Sequence, residues 1–297
     1  MANLAIVGPG SVGGVIAAWL SQAGGHAITL CARRPLDGLR VETPRGWVVP
    51  RVNVIVDPAE APQVDWALVT TKAYEKAGAA RWLKTLCAGG GRAAILQNGV
   101  EHRERFQDTL PSDQIVPVIV DFPAERISPT EIRQRGAGRL TVADDVNGRA
   151  FAALFAGSAE VVLTHDLRTA AWRKLCVNAA GVVSGLVLKP NGVLRDEALG
   201  DLVRRIVREV IAVGRAEGAI LGDELVETVL EGYRKAPPDG VNSLLADRLA
   251  GRPTEIDARN GVVVRLGRKH GIATPCNEMA VALISAPTQA GEAGNPK

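Results

Sequence analysis

Leu4-Ala5-Ile6-Val7-Gly8-Pro9-Gly10-Ser11-Val12-Gly13-Gly14-Val15-Ile16-Ala17-Ala18-Trp19-Leu20 runs from a short apolar segment through a glycine-punctuated turn into an Ala/Val/Leu-rich stretch. The pattern is G-x-G-x-x-G set between a strand and a helix, the context in which such glycines hold a dinucleotide. Gly8 allows the tight turn, Gly10 lets the backbone approach a pyrophosphate, and Gly13 lets the helix pack closely on the strand. Pro9, Ser11 and Val12 complete the turn. The helix then offers its unpaired N–H groups and positive dipole end to the phosphates. A plain glycine-rich turn is the alternative, and the strand-to-helix setting disfavours it.

The chain around this turn has 297 residues, 46% hydrophobic and 23% charged, enough for one large domain or two ordinary ones. A net charge of +3 gives no reason to expect nucleic acid. Cys31, Cys87, Cys176 and Cys276 are scattered, without C-x-x-C or Cys/His ligand spacing. That argues against a disulfide framework and against a metal site, and fits a reducing compartment. The most apolar later run, 177–188, is too short to span a bilayer and carries Asn178 and Ser184. With residues 5–7 already part of the nucleotide fold, no signal peptide is expected and the reading is cytoplasmic, with no membrane partner.

A second strand is expected over 26–31. An NAD-binding unit places an Asp or Glu at its end to take the ribose 2′-hydroxyl. Here the chain reads Cys31-Ala32-Arg33-Arg34. Guanidinium groups suit a 2′-phosphate, so NADP(H) is favoured over NAD, with Arg33 taken as the contact and Arg34 as the alternative. Short strands fall within 46–56. Buried strands over 66–71 and 93–97 carry Lys72 and Asn98 just past their carboxyl ends, where ligands bind in open α/β sheets. A helix is expected over 75–87 and another over 151–156. Strands over 115–122 and 138–143 read as antiparallel additions, and 160–164 as a last strand. From residue 167 the texture turns helical, over 168–188, 196–217, 223–235 and 254–270. The fold class is therefore α/β: a Rossmann-type dinucleotide-binding domain (1–166) followed by an all-helical domain (167–297). Residues 287–297 are Gly/Pro/polar and expected to fray.

In the helical half, Lys174 and Asn178 stand four apart and share a helix face, continued by Gly181 and Gly185, which leave room for an approaching molecule. The lysine reads either as a solvated side chain or as a partly buried ammonium of lowered pKa that can donate a proton. Thr254-Glu255-Ile256-Asp257 follows Pro253, which suits a first helical turn. Either carboxylate there can complement the helix dipole. His270-Gly271 makes a basic last turn and a C′ glycine. Ser243 reads by itself as a capping serine.

Taken in order, the chain resembles the ketopantoate reductase (2-dehydropantoate 2-reductase) family. The matching features are the N-terminal G-x-G-x-x-G, Arg33, Thr71-Lys72-Ala73 and Gln97-Asn98-Gly99. The helical half adds Lys174-Leu175-x-x-Asn178, Pro190-Asn191-Gly192, Asn242-Ser243, Thr254-Glu255-Ile256-Asp257, and Gly261 followed by His270-Gly271-Ile272. The resemblance implies NADPH-dependent reduction of a 2-oxo acid, in pantothenate biosynthesis, between a Rossmann domain and a helical one. By the same resemblance Lys174 is the general acid and Glu255 a catalytic carboxylate. Asn98, Asn178, Asn191 and Ser243 contact substrate, and Lys72 and Asn98 lie near the cofactor.

One departure bears on substrate. The family carries a second asparagine one turn after Asn178, where this chain has Val182, and the stretch before Pro190 is about one residue short. A valine cannot replace an amide's hydrogen bonds, so a related 2-oxo acid with a more apolar tail stands beside ketopantoate. A β-hydroxyacid dehydrogenase-like enzyme and a non-catalytic NADP-sensing protein are the competing readings. Apolar faces on the C-terminal helices are compatible with a homodimer, although a core would look the same.

Overall fold

A computed structural model describes residues 1–292, with side chains through 286. The chain divides into two compact units, Met1–Leu167 and Arg168–Lys297. The first contains, in order, β1 (Ala2–Val7), α1 (Ser11–Ala23), β2 (His26–Cys31), β3 (Arg40–Thr43), β4 (Gly46–Val48), β5 (Asn53–Ile55), β6 (Trp66–Val69), α2 (Lys76–Leu86), β7 (Arg92–Ile95) and α3 (His102–Phe106). It continues with β8 (Ile115–Pro117), β9 (Ile119–Asp121), β10 (Ala124–Arg126), β11 (Glu131–Gln134), β12 (Arg139–Ala143), α4 (Val146–Ala153) and β13 (Glu160–Thr164).

The main sheet has the order β5-β2-β1-β6-β7-β8, parallel throughout. Both faces are covered, which is why these strands read as unbroken apolar runs rather than alternating ones. Along β1, Leu4 and Ile6 enter one core with Val15, Ile16, Trp19 and Leu20 of α1. Ala5 and Val7 enter another with Leu83 and Leu86 of α2. Side chains two apart share a face, so one strand feeds both layers. The strand order reverses between β1 and β6, and Val7 aligns with both Cys31 and Val69, as Val69 does with Ile95. The residues following these four strands therefore emerge in one row, at the crevice where such sheets bind ligands.

Several expectations need correction. The single strand over 115–122 is two: β8 extends the main sheet in parallel, and β9 pairs antiparallel with β12 in a separate sheet. The helix expected over 151–156 is α4, five residues earlier. Asp145 Oδ1 accepts the Gly148 N–H at 2.7 Å and starts it at a point where Asn147-Gly148 looks like a turn. In the second unit the long helix over 168–188 breaks at Gly181 into α5 (Leu167–Ala180) and α6 (Val182–Val187).

That unit continues with α7 (Glu197–Ala216), α8 (Leu225–Lys235), α9 (Ser243–Leu249), α10 (Val262–His270) and α11 (Pro275–Glu292). A π-helical stretch, Asp257–Gly261, feeds α10, so Thr254 and Glu255 precede the helix instead of forming its first turn. Gly271, at φ 68°, caps α10 as its sequence predicts. The sequence reading passed over α11. Its first-turn amides, Cys276 and Asn277, donate to the Glu209 carboxylate at 2.9 and 3.0 Å. A carboxylate from a distant helix thus does the work of a local cap. Part of the tail expected to fray, 287–292, is helical, and 293–297 lie outside the described residues.

Candidate cofactor and substrate sites

In the first unit, Gly8 leaves β1 with φ +84°, and its N–H donates to Cys31 O at 3.0 Å. A Cβ on Gly8 would strike Thr71 Cγ2, and one on Gly13 would lie 2.5 Å from Thr70 Oγ1 and 2.8 Å from Gly8 O. Close packing demands both glycines. Gly10 differs: a Cβ there would meet nothing nearer than Gly8 O at 3.9 Å, so its open side is the cradle. Gly10 is also the N-cap of α1. It offers no side chain to the first-turn amides, and no acidic residue lies in that turn. Helix amides left without intrahelical acceptors, at a positive dipole end free of carboxylates, fit a pyrophosphate. Pro9, Ser11 and Val12 lie on the same turn, and Arg126 of β10 donates from Nη2 to the Pro9 carbonyl.

Past the other strand ends the same row continues. Lys72 caps a 3₁₀ turn, Ala73–Glu75, that leads into α2. Buried Gln97 joins the loops after β6 and β7: its Nε2 donates to Thr71 Oγ1 at 2.9 Å and to Lys72 O at 3.3 Å. Arg105 donates to Gln97 Oε1 at 2.8 Å and to Asn98 O at 3.4 Å. His102 Nε2 donates to Gln97 O at 2.8 Å, and burial pushes its imidazole down to about 4, so it stays neutral. Lys72 and Asn98 are thereby set on a braced edge. Arg33, after β2, forms an ion pair with Glu75 at 2.8 Å.

In the second unit, Lys174 and Asn178 are both half-buried on α5, four residues apart. The face they share does not continue as an open channel. A Cβ on Gly181 would lie 2.6 Å from Tyr233 Oη and 3.1 Å from Arg259 Nη2, and one on Gly185 would strike Leu244. The small residues admit the protein's own side chains, which corrects the expectation of room for a ligand there. Tyr233 Oη donates to Val177 O at 2.8 Å, Asn260 Nδ2 to Ala179 O at 3.3 Å, and Asn242 Nδ2 to Gly181 O at 3.0 Å. Arg259 donates to Asn178 O from Nε at 3.0 Å and also from Nη2. The carbonyls at a helix end need such partners, and here four side chains supply them.

Arg259 is the centre of this group. The residue is 2% exposed, and its Nη1 reaches Ser243 Oγ at 3.5 Å. Burial draws its pKa down, while Tyr233, Glu255 and Asp247 act in the opposite sense. The Asn178 backbone oxygen and the Ser243 hydroxyl thus meet on one cation, and the buried carboxylate of Glu255 acts on it electrostatically. Ser243 is not the cap of α9. Asn242 holds that position, its Oδ1 accepting Leu244 and Leu245 N–H at 3.1 and 3.0 Å. Asn191 begins a 3₁₀ turn, where its N–H donates to Gly240 O at 2.9 Å and its Oδ1 accepts Ser184 Oγ at 3.4 Å. Asp257 pairs with Arg265. Val182 is fully buried.

The sequence reading gave no role to Glu75, Arg126, Asn242 or Arg259. Each reaches its partner from another element, so spacing along the chain carries no trace of it. Only Asn242-Ser243, with two capping residues in succession, held a readable sign.

Comparisons with known proteins cover both units. Residues 4–146 match the family model "Ketopantoate reductase PanE/ApbA" and residues 166–288 match its C-terminal counterpart. The chain is 49% identical over 287 residues to 2-dehydropantoate 2-reductase of Caulobacter vibrioides, covering 96% of this chain and 99% of that protein. It is 42% identical to the protein of the same name from Mycobacterium tuberculosis, covering 96% and 97%. Among solved structures, a PanE/ApbA family ketopantoate reductase from Ralstonia eutropha JMP134 superposes with a TM-score of 0.87 at 31% identity, covering 96% of this chain and 97% of that one.

Proposed function

The chain belongs to the ketopantoate reductase family, and from that premise we propose that it reduces 2-dehydropantoate, or a related branched 2-oxo acid, to the 2-hydroxy acid with NADPH. The observation that supports the site assignment is the meeting of the Asn178 backbone oxygen and Ser243 Oγ on Arg259, with the Glu255 carboxylate acting on the same cation, one helical turn from Lys174. NADPH, when bound, supplies hydride to the ketone carbon. The Gly8–Gly13 turn would hold its pyrophosphate, with the Ser11, Val12 and Gly13 amides as donors and Gly8, Pro9 and Gly10 shaping the approach; Arg33 would take its 2′-phosphate, and Lys72 and Asn98 its further polar groups.

Negative charge grows on the substrate's carbonyl oxygen as the C–H bond forms. In this reading the Lys174 ammonium stabilises that charge and delivers the proton from Nζ, leaving a neutral amine that water reprotonates. In this reading Glu255 is the carboxylate beside the substrate. Asn98, Asn178, Asn191 and Ser243 orient the 2-oxo acid through amide and hydroxyl contacts, which lowers the entropic cost of reaching the reactive geometry. Val182 is fully buried and presents no surface to a substrate, so its departure from the family's amide does not by itself select the tail.

The test is an NADPH-oxidation screen over ketopantoate and neighbouring branched 2-oxo acids, run with Lys174→Ala alongside. Loss of turnover by about 10²–10⁴-fold with NADPH binding intact supports the assignment. Near-normal turnover in the variant removes Lys174. Turnover of 3-hydroxy acids in place of 2-oxo acids moves the protein to the β-hydroxyacid dehydrogenase reading, and tight NADPH binding without turnover of any 2-oxo acid moves it to a sensor.

A further inference from the structure

The end of β2 lacks the carboxylate that takes a ribose 2′-hydroxyl, and carries Arg33 close by instead. The fold returns a carboxylate to that place from elsewhere. Glu75, at the end of the 3₁₀ turn after β6, sets Oε1 2.8 Å from Arg33 Nη1, and its Oε2 accepts the Lys72 N–H at 3.3 Å. One side chain thus touches Arg33, the residue assigned to the 2′-phosphate, and the backbone of Lys72, placed near the cofactor. The Arg33 side chain is 88% exposed and that of Glu75 25%, so the arginine is free to swing while the glutamate is held.

We propose that Glu75 is the cofactor-selectivity residue: it competes with the 2′-phosphate for Arg33 and thereby lets this reductase use NADH alongside NADPH. A 2′-phosphate carries nearly two negative charges, and to engage Arg33 it must displace or share the Glu75 carboxylate, which then repels it across a few ångströms of solvent. A ribose 2′-hydroxyl meets no such repulsion, and it can donate to the same carboxylate oxygen. Both effects act in one direction. The charge on Glu75 weakens the phosphorylated dinucleotide and spares the other. The inference rests on the cofactor reading given above and adds a second cofactor to it.

Glu75→Gln keeps an oxygen for the Lys72 amide and removes the charge. The experiment titrates the unaltered protein and this variant calorimetrically with adenosine 2′,5′-bisphosphate and with 5′-AMP, and measures kcat/KM for NADPH and NADH. The variant should bind the bisphosphate about 3- to 10-fold more tightly at low salt, with the gain shrinking as salt rises. Affinity for 5′-AMP should stay level or fall, and the NADPH:NADH preference should rise by the same factor. In an Arg33→Ala background the gain should vanish, because the competition is for that guanidinium. Unchanged or weaker bisphosphate binding in Glu75→Gln overturns the proposal, as does a gain that survives without Arg33. If both nucleotides bind and the variant is indifferent, Glu75 alone is excluded. If neither binds the unaltered protein, the dinucleotide reading and the proposal fall together.

Discussion

Arg259 Nε lies 3.0 Å from the backbone oxygen of Asn178, joining residues 81 positions apart. A π-helical turn and the last turn of α5 are thereby fixed to each other by a cation that water barely reaches. π-Turns are rare and concentrate at functional sites, and this one delivers Arg259 and Asn260 to neighbouring carbonyls.

Arg259→Lys retains the charge but loses the planar fork. A single ammonium cannot serve Asn178 O and Ser243 Oγ in the same geometry, so a buried acceptor is left short. The expected cost is about 1–3 kcal/mol, read from denaturant unfolding, with kcat/KM for the 2-oxo acid falling while nucleotide binding is retained. Unaltered stability would show that the guanidinium geometry carries no weight.

The two glycines of the nucleotide turn should respond differently to the same methyl group. Gly13→Ala brings Cβ against Thr70 Oγ1 and the Gly8 carbonyl, so α1 must shift from β1 and the melting temperature should drop. Gly10→Ala has room to fold. Its methyl group occupies the approach to the pyrophosphate, and NADPH affinity should fall about 10-fold or more at nearly unchanged melting temperature. Equal effects of the two substitutions on folding would contradict the packing described.

His102 makes stability depend on pH in a definite direction. Burial lowers its pKa from 6.5 to about 4, so between those values the unfolded chain binds a proton that the folded chain refuses. The contribution is fully present above pH 6.5 and is lost as pH falls toward 4, amounting to about 3 kcal/mol. His102→Asn removes this component. Urea unfolding at pH 7 and pH 4.5 should show a smaller loss in the variant than in the unaltered protein.

Leu188 caps α6 in the left-handed region, with φ 54°, although it bears a side chain. Only Lys189 separates it from Pro190, and a residue before proline avoids helical and turn conformations, so the reversal falls on Leu188. The shortened link noted in the sequence thus has a conformational cost. Leu188 is 47% exposed, so Leu188→Gly loses little burial and should stabilise the protein by about 1 kcal/mol in a thermal melt. A destabilised variant would show that the leucine side chain matters more than its backbone.

Much of the nucleotide unit was legible because its signals are local. Gly8, Gly10 and Gly13 act within one turn, and the runs ending before Lys72 and Asn98 are apolar because both faces of the sheet are covered. The second unit hid more. The break at Gly181 sits inside an unbroken apolar pattern, and four side chains from beyond residue 230 pin the carbonyls around it. The π-turn has no sequence period of its own, so residues 254–270 read as one helix. α11 begins without a cap in its own sequence because Glu209 provides one from α7. Glu75 left no sign in the sequence because it reaches Arg33 from the turn after the sixth strand and not from the end of the second.

The carbonyl clamp at the α5–α6 break also orders events during synthesis. Lys174 and Asn178 leave the ribosome about 80 residues before Arg259 and Asn260, and until those arrive nothing engages Asn178 O or Ala179 O as in the finished protein. At about 5–20 residues per second, that interval lasts several seconds. A nascent chain that already contains the glycine turn can therefore take up nucleotide while the end of α5 still lacks the partners of its last carbonyls. Pulse-labelled chains released at residue 250 should bind nucleotide and fail to reduce substrate.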